Sequence, residues 1–247
     1  MDRMIYLAAS GAKQAMSQQA TISHNLANLT TAGFRAEMAV FRSVPVTGVG
    51  ANTRAFVVDT TPGSSFAQGP IQQTGRELDV AVQGRGWIAV QAADGSEAYT
   101  RNGSLQVNAN GLLTTRAGFA VMGDGGTIGI PSDTLLTIAG DGTISTVPTG
   151  NRPSGNSMVG RIKLVSPPEG QMVRGDDGLF RLAGGATAPA DADVKLVSGA
   201  LESSNVNAVE QMVAMIALAR QYDMNMKILQ NAENNAKDAA QLLSLQG

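Results

Sequence analysis

The residue types that could do chemistry stand in a few places. The only histidine, His24, lies beside Asn25 and Asn28 in SHNLANLTTAGF, residues 23–34. A histidine oriented by an amide is half of a nucleophilic site, but such a site needs a nucleophile in reach, and no serine sits in a G-x-S-x-G elbow. A structural histidine on a helix surface is the reading favoured. Asp176 and Asp177 are adjacent in RGDDG; general acid–base pairs need carboxylates converging from different segments, so these read as a turn. GDGG from Gly123 and GDGT from Gly140 are similar to calcium-binding repeats but lack their nine-residue period. GRG at Gly84–Gly86 lacks the third glycine of a dinucleotide fingerprint. With no cysteine and one histidine, thiolate chemistry, disulfides and histidine-rich metal sites are excluded. No catalytic, metal-binding or cofactor-binding residue is expected.

Composition narrows the class further. A chain of 247 residues can bury a real core, and a net charge of -2 gives no basic footprint for nucleic acid. No run approaches the roughly 20 apolar residues of a membrane span, and the first thirty residues lack the apolar core and cleavage site of a secretory signal. That pattern predicts a cytoplasmic protein, or one that leaves by a specialised route without cleavage. Apart from Gly11 and Gly247, every glycine lies between Gly33 and Gly199, and all prolines lie between Pro45 and Pro189. Two glycine-poor ends therefore flank a turn-rich middle.

Both ends carry helical periodicity. Ile5, Ala8, Ala12, Ala15, Gln19, Ile22, Leu26 and Leu29 are spaced alternately three and four apart, a heptad stripe. Asp2 is placed to cap its start, and Gly33 as a left-handed stop would bring Phe34 against Leu29 in a Schellman end. Met212, Met215, Ala219, Tyr222, Met226, Leu229, Glu233, Ala236, Ala240 and Leu243 repeat the spacing, after an Asn207–Glu210 capping box. A helix of about 35 residues, some 50 Å long, is expected there. A narrow stripe needs a partner. Spacing alone leaves two arrangements: the ends pair with each other, or both pack on the middle.

The middle alternates. Residues 35–74, rich in proline and glycine, read as an extended arm with one strand at Ala55–Asp59. Residues 75–200 read as a β-rich domain: from Gly75 to Gly123 the pattern has period two, with strands at Leu78–Val82, Trp87–Gln91, Leu105–Asn108, Leu112–Thr115 and Phe119–Met122, and further strands are expected at Leu135–Ala139, Thr143–Val147, Arg161–Val165 and Val194–Ser198. Asn110-Gly111 and Ala117-Gly118 fall where tight hairpin turns belong. The expected class is α+β: long terminal helices (1–34 and 201–247) pairing as a coiled-coil-like bundle, the arm, and a central all-β sandwich or irregular barrel.

SHNLANLTTAGFR at Ser23–Arg35 resembles the N-N-L-A-N-x-x-T-x-G-F-[KR] signature of bacterial flagellar axial proteins, with His24 at the first asparagine. QGPIQQTGRELDVAVQGRGWIAVQ, then YTRNGSLQVNANGLLTTRAGFAVMG, is similar to the rod and hook core segment of that family, and SSNVNAVEQMVAMIALARQYDMNMKILQNAE to its C-terminal helix. These blocks cover about half the chain in the family's order, and the opening and length are most similar to its proximal-rod branch. The resemblance implies a structural, non-enzymatic rod subunit of the basal body, exported through the flagellar type III apparatus without a cleaved signal. It would assemble helically with itself and other rod proteins into a hollow, periplasm-spanning drive shaft that transmits torque. No cofactor, nucleic acid, membrane insertion or small-molecule substrate is implied. The subunit contacts would fall on the terminal helices, at Ile5, Ala12, Ile22, Asn25, Leu26, Asn28, Leu29, Gly33, Phe34, Met212, Met215, Ala219, Tyr222, Met226, Leu229 and Leu243. Alternatives are a distal-rod subunit, or a periplasmic glycan-binding or hydrolytic module, which would need an aromatic platform and converging acids; Trp87 is the only tryptophan.

Overall fold

The computed structural model describes residues 2–45, 55–59, 63–132, 134–148, 155 and 157–244, with backbone alone at 2–4, 55–59, 239 and 242–244. The chain divides into two compact units: unit 1 comprises 1–29, 36–65 and 206–247, and unit 2 comprises 30–35 and 66–205.

Unit 1 holds both long helices, α1 (Asp2–Ala27) and α2 (Ala208–Ser244), which pack on each other. It also holds two ribbons. β1 (Glu37–Met38) pairs with β4 (Gly63–Ser64), and β2 (Phe41–Pro45) with β3 (Ala55–Asp59) over five residues each. Asn207 caps α2 as its sequence predicts, its Oδ1 accepting from the amides of Val209 (3.1 Å) and Glu210 (3.4 Å). The capping role expected of Asp2 lies outside the described side chains.

The end of α1 corrects the expected Schellman stop. The helix ends at Ala27, where the Asn28 amide is shared between the carbonyls of His24 (3.2 Å) and Asn25 (3.1 Å). The Asn28 side chain also donates to His24 O at 3.0 Å, folding back on the last turn, and the next amide, Leu29, donates to Leu26 O at 3.3 Å in a tighter i→i−3 bond. Gly33 does adopt φ 69°, but its amide donates to Glu202 O at 2.7 Å and Phe34 donates to Thr31 O. The left-handed glycine serves a close approach, because a Cβ on Gly33 would overlap the Arg101–Asn102 peptide.

Unit 2 contains β5 (Ile71–Gln73), β6 (Val80–Gln83), β7 (Trp87–Gln91), β8 (Glu97–Thr100), β9 (Leu105–Val107), β10 (Leu113–Thr115), β11 (Ala120–Gly123) and β12 (Gly126–Thr127). It continues through β13 (Thr134–Ile138), β14 (Thr143–Pro148), β15 (Ser157–Arg161), β16 (Leu164–Val165), β17 (Met172–Arg174), β18 (Phe180–Leu182), β19 (Lys195–Ser198) and β20 (Ala200–Glu202). The largest sheet runs β17-β18-β8-β7-β11-β10-β9, with β12 on β11 and β16 on β7; β13-β14-β15 form a second, and β19-β6 and β20-β5 are pairs. The hairpins expected at Asn110-Gly111 and Ala117-Gly118 join β9 to β10 and β10 to β11. The class is α+β, and the irregular barrel is corrected: among the described residues the large sheet is an open path from β17 to β9.

Alternation along β7 loads both faces of that sheet. Ile88 and Val90 join Val80, Val82, Leu105, Leu113, Ile138 and Ile144 in one core, while Trp87 and Ala89 join Tyr99, Val165 and Phe180 in another. Trp87 packs against Phe180 in a tilted pair with ring centroids 4.7 Å apart, and meets Phe66 edge to face at 6.1 Å. The Tyr99 hydroxyl donates to Glu97 Oε1 (2.9 Å) and accepts from the Ala188 amide (2.6 Å), and Lys163 closes on Glu97 at 2.8 Å.

Burial, reinforced by Glu97 and opposed by the Ala188 amide, pushes the Tyr99 pKa up to about 12. A folded-state pKa raised above the unfolded value means that this contribution is complete below about pH 10 and is lost as pH rises through about 12. Tyr99→Phe is expected to lower unfolding stability by about 1–3 kcal/mol at pH 8, since it orphans a buried amide. The gap to the parent should close between pH 10 and 12 in denaturant titrations, and a gap independent of pH would contradict this account.

Candidate assembly surface

The covered face of α1 follows its predicted stripe. Ala8, Ala12 and Ala15 are buried, Ile5, Ile22, Leu26 and Leu29 half-buried, and Gln19 exposed. On α2 the covered face is set partly one residue aside. Leu218 and Ala232 are buried and Gln211, Met215, Tyr222, Asn225, Met226 and Leu229 half-buried, whereas Met212, Ala219, Glu233, Ala236 and Ala240 are exposed; Leu243 lies outside the described side chains. The covered residues 211, 215, 218, 222, 225, 229 and 232 keep the heptad spacing. Two of them are amides, which is why apolarity alone points to the neighbouring register. Asn225 is accommodated because Gly11 stands opposite: a Cβ on Gly11 would lie 3.1 Å from the Asn225 amide. Counting the amides as interior positions is the signal that would have found this register.

The signature segment is divided between the two units. Asn25 is 2% exposed and occupied within its own chain: Nδ2 donates to Glu37 O at 2.9 Å and to Gln211 Oε1 at 3.4 Å, and the Glu37 amide donates to Oδ1 at 2.8 Å. Its amide thus pairs with the Glu37 backbone as a strand would, docking β1 on α1. His24 Nδ1 stands 3.1 Å from Glu37 Oε2. A groove of about 380 Å³ opens beside Asn25, walled by Ile22, Ala39, Ala214 and Leu218. Its polar lining comes from Gln18, Thr21, Asn25, Glu37 and Gln211. Gly33 and Phe34 belong to unit 2, where Phe34 is buried under the Arg174 guanidinium, 4.7 Å from its ring.

Asp177 and Trp87 are both engaged by neighbours within unit 2. Asp177 is bound by Arg181 at 2.6 and 3.0 Å and accepts from the Leu179 amide; the hydrogen bond from Arg181 leads in holding its pKa below the usual carboxylate range. Trp87 is buried and offers no exposed platform. Among the described residues no group of three acids or histidines is placed to hold a metal ion, and no helix is long and apolar enough to cross a membrane.

Three family models match the chain: flagella basal body rod protein over residues 5–35, flagellar hook protein FlgE/F/G D1 domain over 81–146, and flagellar basal body rod FlgEFG protein C-terminal over 197–242. The chain is 46% identical over 251 residues to the flagellar basal-body rod protein FlgF of Salmonella typhimurium, covering 99% of the chain and 100% of the relative. It is 47% identical to FlgF of Escherichia coli K12 with the same coverage. To the flagellar basal-body rod protein FlgG of Buchnera aphidicola from Acyrthosiphon pisum it is 31% identical over 244 residues, covering 90% of the chain and 92% of the relative.

Asn25 makes the sharpest local prediction. Asn25→Leu removes both hydrogen bonds between the Asn25 side chain and the half-buried Glu37 backbone, a cost of about 1–3 kcal/mol. Amide exchange at Glu37 should rise more than tenfold, while the β7 amides in unit 2 stay protected; unchanged exchange at Glu37 would show that the docking does not depend on Asn25.

Proposed function

The chain belongs to the flagellar basal-body rod protein family, and from that premise we propose that it is a proximal-rod subunit that assembles through the outer side of its terminal helices. It is a structural subunit of the basal-body rod, and it interacts with other flagellar rod and axial proteins. The observation that carries the finer reading is the uncovered side of α2. Val209, Met212, Val213 and Ile216 are 70, 51, 62 and 57% exposed, and they lie opposite the face that α1 covers. A helix segment apolar on both sides is stable in water only when another surface covers the second side. Neighbouring subunits in a helical tube supply that surface, with the groove beside Asn25 ready to take a neighbour's side chains.

The same reading extends to export and place. The alanine-lined helix pair buries little area per contact, so it can travel unfolded through the type III apparatus without a cleaved signal and order fully on assembly. Heptad spacing on both helices supports coiled-coil packing within the assembled rod. The rod then spans the periplasm as a hollow shaft that transmits torque, a task that requires no catalysis.

Substitution separates folding from assembly. Val213→Asp changes an exposed position and is expected to shift unfolding stability by less than about 0.5 kcal/mol, while abolishing rod assembly and motility. Leu218→Asp places a charge between the helices and is expected to disrupt unit 1 itself. Swimming cells that carry Val213→Asp would overturn the assignment of this face.

A further inference from the structure

Glu202, at the end of β20, is fully buried, and the guanidiniums that face it, on Arg35 and Arg101, are 2% and 4% exposed. Arg35 Nη1 lies 2.7 Å from Oε1 and Arg101 Nη1 lies 3.0 Å from Oε2, while the Gly69 amide donates to Oε1 at 2.9 Å. Both cations stand near the Trp87 ring, 5.9 and 5.4 Å from its centroid. The ring supplies the negative face that a single carboxylate cannot give to two cations. Burial lowers the pKa of Arg35, and that of Arg101 to about 10, with Glu202 opposing both shifts.

This cluster has a particular place along the chain. The chain passes between its units at Leu29–Thr30, Arg35–Ala36, Ser65–Phe66 and Asn205–Val206. Within unit 2, the segments leading to these passages are tied to each other around Glu202. Gly33 donates to Glu202 O (2.7 Å), Arg35 donates to Ala67 O, Ser203 donates to Pro70 O (2.8 Å), and Asn205 donates to Phe34 O (3.3 Å) and Ala67 O (2.8 Å). Arg101 fixes the group to the sheet side through Val82 O (3.2 Å) and Gly84 O (2.7 Å). Gly69 must be glycine here, since a Cβ would overlap Ser203 O.

We propose that Glu202 is a positioning residue that clasps the chain's passages between units into one joint, through which force on the helices reaches the β unit. Apolar side chains of equal volume would hold these segments as tightly; what a carboxylate between two guanidiniums adds is one fixed geometry. The force that the joint carries rests on the rod reading above.

Amide exchange on the purified full chain tests the clasp. In Arg35→Met the amides of Gly33, Gly69 and Asn205 are expected to exchange about thirty-fold faster, with the core amides of Ile88 and Val90 unchanged. Glu202→Asp keeps the charge balance but is one methylene short of its three partners, and should release the same amides. Glu97→Gln breaks a different buried pair, Lys163–Glu97 at 2.8 Å, and should leave them protected. Release by Glu97→Gln, or retention in both Arg35→Met and Glu202→Asp, overturns the clasp. Cells carrying a variant with released passages and an intact core should lose motility, and normal swimming overturns the coupling. Neither failure touches the rod assignment, which rests on the family matches, or the assembly face, which is tested separately at Val213.

Discussion

A long helix with apolar residues on more than one side has to be held by something other than itself, and that constraint shapes unit 1. Alanines at positions 8, 12, 15 and 232 let α1 and α2 approach closely, yet each removes little apolar area from water. Alignment therefore rests on a few particular contacts: Gly11 leaving room for Asn225, and Asn25 joining Gln211 and the backbone of β1. The pair is aligned by an amide contact and by the absence of a side chain at Gly11, with modest apolar burial behind it. Val209, Val213 and Ile216 remain apolar and exposed on the outside of α2.

Unit 2 is built on the opposite principle. Its large sheet is covered on both faces, by Ile88 and Val90 with their partners on one side and by Trp87, Ala89 and Tyr99 on the other. Such a unit can hold buried charge, because Glu202 is met by two guanidiniums and a backbone amide within it. The chain exploits this where it is most exposed to disturbance, at the segments that enter and leave the unit. A single acid there is shared by an early residue, Arg35, and a mid-chain residue, Arg101.

Local signals were legible where they were strong and self-contained. The strand WIAVQ, the Asn110-Gly111 hairpin, the Asn207 cap and the length of α2 all follow from short-range rules. β8, with sequence EAYT, carries little apolar alternation and is held by its neighbours β7 and β18, so it was not legible. The register of α2 was offset because Gln211 and Asn225 are interior amides, and nothing in their own identity reveals the glycine and asparagine that accommodate them. Gly33 carried a true signal, a positive φ, whose cause lay in the Arg101–Asn102 peptide rather than in α1. Glu202, in ALESSN, had no local signal; its partners lie 101 residues away at Arg101 and farther still at Arg35.

Trp87 gives the protein an optical property that its role in packing does not require. It is the sole indole in the chain, and it lies against the two guanidiniums that grip Glu202. Indole emission responds to nearby charge and to entering water, so a change at that carboxylate alters the colour and intensity of the whole protein's ultraviolet fluorescence. The surroundings of Glu202 can thus be followed in real time, without a label, as the chain unfolds and refolds.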